Sequence, residues 1–146
     1  GFHTRNEASM PTPLPRPKAQ AWLPTLVVLA VHIVLWKGTS AYDQFPALDR
    51  VTHTLGGVAA TWFLLCCMRA PGGSAWFGEH SRRSEAFTLL AWIGFIVVAW
   101  EFLEWSLDAT GLTRSQRSID DTISDMALGI LGGIVVIACT RRLPSR

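Results

Sequence analysis

DDTISDMALGILGG, residues 120–133, sets carboxylates at the head of an otherwise apolar, glycine-rich segment. Asp121 and Asp125 stand four positions apart and therefore share one face of a helix. A turn further on, Gly129, Gly132 and Gly133 remove side-chain bulk, so a neighbouring helix can approach closely. Such a helix needs an apolar solvent around its body and partners for its acids.

The surrounding composition supplies the first of these. The 146-residue chain is 49% hydrophobic and only 16% charged, against about 25% charged in an average soluble domain. The charges are also excluded from long stretches, which makes an integral membrane protein the leading class. The net charge of +2, with basic residues scattered in ones and twos, excludes a nucleic-acid surface. Cys66, Cys67 and Cys139 have neither metal-ligand spacing nor a disulfide framework and read as small apolar fillers.

Residues 1–20 form a polar tail in which Pro11, Pro13, Pro15 and Pro17 alternate, a pattern that favours extended backbone. No small-residue cleavage site follows the first apolar run, so the start does not read as a signal peptide. Four transmembrane helices are expected at about 21–37, 47–68, 85–107 and 119–140, forming an all-α, antiparallel bundle over 21–140. A basic terminus, 141–146, follows. Trp22 and Trp36 mark the two ends of the first span, where indoles favour the headgroup level.

Lys and Arg set the orientation. Arg5, Arg16, Lys18, Arg69, Arg82, Arg83, Arg141, Arg142 and Arg146 fall on one side of this topology. Lys37, Arg50, Arg114 and Arg117 fall on the other. Both termini are therefore expected in the cytoplasm.

The same topology gathers the polar residues of the spans into the outer leaflet. Asp49 and His53 are i, i+4 on the second helix, Glu101 and Glu104 are i, i+3 on the third, and Asp121 and Asp125 head the fourth. Carboxylates in or near hydrocarbon face the bundle interior and pair, bind a cation or take up a proton. Asp49 and Asp120 read as helix-end acids in the wet interfacial layer. Asp108 reads as a loop acid and His32 as a hydrogen-bonded core residue. For His53, Glu104 and Asp125, function and specific buried pairing both stay open. One imidazole with several carboxylates suits a divalent ion such as Zn, Mn or Fe, and the candidate ligands are His53, Glu101, Glu104, Asp121 and Asp125. The same groups could relay protons. No H-E-x-x-H, nucleophile elbow or P-loop is present, and no catalytic residue is assigned.

At these positions the chain resembles the YjdF-like family of small bacterial inner-membrane proteins and, more distantly, the VanZ-like group. The matching pieces are LDRVTHTLGG at 48–57, WEFLEW at 100–105 and DDTISDMALGILGG at 120–133. The resemblance implies a multi-pass helical protein of the bacterial inner membrane and implies no reaction. VanZ-like proteins usually carry Asn before the last motif's glycine, where this chain has Ala127 or Leu128. That difference weakens any transfer of a glycopeptide-resistance role.

The function expected first is a small membrane protein whose His and carboxylate cluster engages a cation, a proton or a lipid headgroup. The alternative is an accessory subunit of a larger respiratory or photosynthetic membrane complex, with the apolar faces as docking surfaces and His32 or His53 available to a pigment. An intramembrane, metal-dependent enzyme acting on lipid-linked substrates ranks third. The expected partners are the lipid bilayer and other membrane subunits, with no nucleic acid.

Overall fold

Long apolar runs broken by Pro, Gly and charge leave the backbone one way to satisfy its hydrogen bonds in hydrocarbon, which is the helix. The protein, seen here as a computed structural model describing residues 14–39, 41–114 and 116–141, is all-helical over those residues. The expected tail falls outside the described residues over 1–13, as does the basic terminus from 142 onward. Residues 14–18 run extended, and the Arg16 N–H donates to the Pro71 carbonyl at 3.3 Å.

Helix α1 spans Ala19–Ile33 and widens into a π-helical turn at Val34–Gly38. Two short helices occupy connections, α2 at Ala41–Gln44 and α4 at Gly73–Phe77. The other long helices are α3 at Ala47–Arg69, α5 at Arg82–Ala109 and α6 at Ile119–Arg141. Four helices are long and apolar enough to cross a membrane: Ala19–Trp36, Ala47–Arg69, Arg82–Ala109 and Ile119–Thr140. The 28 residues of α5 extend about 42 Å, beyond the roughly 30 Å of hydrocarbon, so its ends reach headgroup level.

Helix α3 is the hub. It packs on α1, α5 and α6, and its interface with α6 is the most extensive in the fold. The buried share of the span is 39% in α3 and 6% in α1, which makes α1 the peripheral helix. The α3–α6 seam is built from glycine. A Cβ at Gly57 would overlap the Gly129 carbonyl, and one at Gly132 would overlap the Thr54 carbonyl. The two backbones thus touch directly, and larger side chains would push them apart. Leu64, Leu65, Met68 and Leu89 form the buried apolar core, near the end of α3 and the start of α5. There Arg69 and Glu85 pair through two hydrogen bonds of 2.9 and 2.7 Å. Large apolar side chains such as Phe87, Phe95, Phe102 and Leu131 are exposed around the bundle. Lipid tails are as apolar as these side chains, so their exposure carries no penalty in a bilayer.

At the acid-bearing end the α5–α6 connection folds back over α5. Asp108 accepts from the Thr113 hydroxyl and from the Gln116 backbone N–H, the latter at 2.9 Å. The Gln116 amide donates to the Glu101 carbonyl at 3.1 Å. Ser118 caps α6, its hydroxyl accepting from the Asp121 N–H at 3.1 Å.

Candidate functional site

The polar side chains of three helices converge on His53. Its spacing from Asp49 puts both on one face of α3, and the glycine seam one turn below brings Asp125 of α6 alongside. His53 Nε2 lies 3.6 Å from Asp49 Oδ1 and 4.0 Å from Asp125 Oδ2. On the other edge of the ring, Nδ1 lies 3.7 Å from Glu101 Oε1. These separations exceed those of hydrogen bonds. They approach the edge of a ligand polyhedron, which is about 3.4 Å for tetrahedral ligands at roughly 2.1 Å from an ion.

Two sets of ligand atoms lie within 4.8 Å of one another: Asp49, His53 and Asp125, and His53, Glu101 and Glu104. Asp121, one turn nearer the start of α6, is half-buried and joins neither set. Of the residues proposed from the sequence, His53, Glu101, Glu104 and Asp125 are thus brought together. Asp121 stands at their edge, close enough to Asp49 and Asp125 for the charges to interact. Asp49, read from the sequence as a helix-end acid, lies inside the cluster.

A second layer holds the first in place. His32 is buried, with Nδ1 2.9 Å from the Tyr42 hydroxyl and Nε2 3.9 Å from Glu104 Oε1. The same hydroxyl lies 3.1 Å from Thr52 Oγ1, so Tyr42 ties α1 to α3. Burial pushes the Tyr42 phenol above its ordinary pKa, with the Asp49 and Glu104 carboxylates adding to the rise and the Thr52 hydrogen bond opposing it. The Trp100 indole N–H donates to Glu104 Oε1 at 2.8 Å, which makes this tryptophan part of the site rather than of an interfacial belt. Tyr42 carried no sequence motif of its own, and Trp100 opens WEFLEW, of which only the glutamates were read as candidate ligands. Their one legible trace was proximity in the chain to the polar helix ends.

The electrostatics are unbalanced. Glu101 and Asp125 are 6% and 5% exposed, and Glu101 Oε1 and Asp125 Oδ1 have no hydrogen-bond partner. Among the described residues, the ion pairs of the cluster involve only its two histidines, and none joins it to Arg50, Arg114 or Arg117. The Arg117 guanidinium instead donates to the Tyr42 carbonyl at 2.8 Å. Buried carboxylates without hydrogen bonds or counter-charge are costly by several kcal/mol. A cation or a shared proton at the centre removes that cost.

No curated protein and no solved structure matches the chain. A family model matches residues 14–146, in agreement with the YjdF-like resemblance, and the chain belongs to that family, whose description is "Predicted membrane protein (DUF2238)".

Proposed function

We propose that this membrane protein binds a divalent cation of the Zn, Mn or Fe class through His53 Nε2, Asp49 and Asp125. The observation that carries the reading is a single imidazole ringed by carboxylates, two of which hold a buried oxygen with no partner. The set of Asp49, His53 and Asp125 is preferred because Glu104, in the other set, is engaged by Trp100 and faces His32. Glu101, 3.7 Å from Nδ1, then stands on the side from which a carboxylate orients a ligating histidine. Three protein ligands leave a coordination position open for water or a further ligand. The excess of Lys and Arg on the side of the termini supports an orientation with this end of the bundle toward the outer face and both termini in the cytoplasm, and the family resemblance supports a bacterial inner membrane.

The test is metal analysis of the gently purified protein, with the native particle sized in parallel. One ion per chain is expected, lost in His53→Ala and Asp125→Asn. In Glu101→Gln the affinity falls about 10–100-fold, as for loss of an orienting partner. Asp121→Asn retains the ion. Absence of metal from a protein that travels in a large assembly overturns the reading and recasts the cluster as internal pairing in an accessory subunit.

A further inference from the structure

Helices α1 and α5 both pack on α3, yet among the described residues their backbones do not approach each other closely, and they meet only through side chains such as His32 and Trp100. The gap between them is a cavity of about 240 Å³. Its floor is the small-residue face of α3, including Gly56 and Ala60, and its walls are Val28 and Leu29 on one side and Ile96 on the other. At the acid-bearing end the two walls meet through His32, whose ring stands 5.3 Å from that of Trp100. The cleft is thus roofed by polar groups at one end and flanked by exposed Leu29 lower down.

Its polarity is graded in the same direction. Apart from Trp100, the polar side chains on the lining are Thr25, Thr52 and the two imidazoles. Thr25 already donates to the Ala59 carbonyl at 3.3 Å, and Thr52 donates to the Asp49 carbonyl at 2.8 Å. His32 and His53 therefore mark the polar end, and the body of the cleft presents hydrocarbon. At the depth of the spans the solvent is lipid, and an unfilled apolar void forfeits dispersion contacts along its whole lining. The volume falls below the roughly 300–1,000 Å³ of pockets for drug-sized ligands, and it cannot admit a helix about 10 Å across.

We infer that this cleft holds one hydrocarbon chain of a phosphate-headed membrane lipid, with the phosphate directed to the His53 site at its polar end. The phosphate part rests on the cation reading above, since a bare anion would be repelled by the carboxylates, whereas an ion with an open position accepts an oxyanion. Arg50 and Arg117, whose charges act on Asp125 from the same end, add positive potential for the headgroup.

Gly56 makes the inference testable, because it lines the cleft and a Cβ added there meets nothing within 4 Å. Gly56→Leu projects bulk from the α3 floor into the cleft. Gly94, also with open space around it and absent from the lining, provides the control Gly94→Leu. The full chain is reconstituted in phosphatidylcholine vesicles with either of two probes bearing the same photoreactive acyl chain, a phosphatidic acid or a diacylglycerol. Cross-links are mapped to Val28 and Ile96 and compared with lipid-facing Phe95.

Phosphatidic acid is expected to label the cleft residues several-fold more than diacylglycerol does. EDTA abolishes this preference, Gly56→Leu lowers cleft labelling about fivefold or more, and Gly94→Leu leaves it unchanged. Equal cleft labelling in wild type and Gly56→Leu overturns the chain-binding cleft. Labelling by both probes alike in protein shown to hold its ion overturns the phosphate assignment while the cation reading stands. Metal analysis that finds no ion overturns the cation reading by itself, whatever the cleft binds.

Discussion

The two sides of α3 are packed by opposite means. Toward α6 it meets backbone with backbone, at glycines where a methyl group would collide with a carbonyl. Toward α1 it meets side chains, such as Phe63 against Trp22 with ring centroids 4.3 Å apart, and between α1 and α5 the cleft opens. In a bilayer no hydrophobic force drives helices together, so close packing arises where bulk is missing. The contrast therefore separates a rigid seam from a peripheral helix. The seam has a second consequence. Gly57 and Gly129 each lie one turn beyond His53 and Asp125, so their contact sets the distance between an imidazole and a carboxylate from different helices.

Breaking the seam should have the largest effect. Gly57→Leu forces α3 and α6 apart and is expected to destabilise by about 3 kcal/mol or more, at the top of the overpacking range. Metal affinity falls with it because His53 and Asp125 separate. Gly56→Leu, one residue away but facing the cleft, stays within about 0.5 kcal/mol of wild type. Detergent-titration unfolding of both variants checks the contrast, and equal losses would remove the distinction between the two sides.

A smaller effect is expected where α1 is attached. Tyr42→Phe deletes the hydroxyl that lies between His32 and Thr52 and costs about 1–2 kcal/mol by the same assay. The pH dependence has a definite sign. Burial raises the Tyr42 pKa, so the folded state favours the neutral phenol. That contribution is complete below the ordinary value of about 10 and is lost as the pH climbs past it. Wild type should therefore lose stability in this alkaline range more steeply than Tyr42→Phe, and parallel curves would contradict the burial of the phenol.

The smallest effect belongs to the far end of the bundle. Arg69 and Glu85 form a bidentate pair, but the Arg69 side chain is 51% exposed. Arg69→Ala should cost no more than about 1 kcal/mol, and high salt should shrink the difference. A larger loss would mean that this end, rather than packing on α6, holds α5 in place.

Four apolar runs, the bracketing tryptophans and the glycines of DDTISDMALGILGG were enough to specify a four-span helical membrane protein, because hydrocarbon leaves an unpaired backbone no alternative. Spacing alone also put Asp49 with His53, and Asp121 with Asp125, on common helix faces. It could not say how far each helix is rotated about its axis. The Gly57–Gly129 contact fixes the rotation and the axial register of α6 against α3, which bring Asp125 to His53 and leave Asp121, one turn earlier on the same face, aside. Tertiary structure likewise decided the role of Tyr42, since only the fold-back through α2 brings it to His32, and the existence of the cleft. Which helices of a bundle touch is a property of pairs of surfaces, and no single segment carries it.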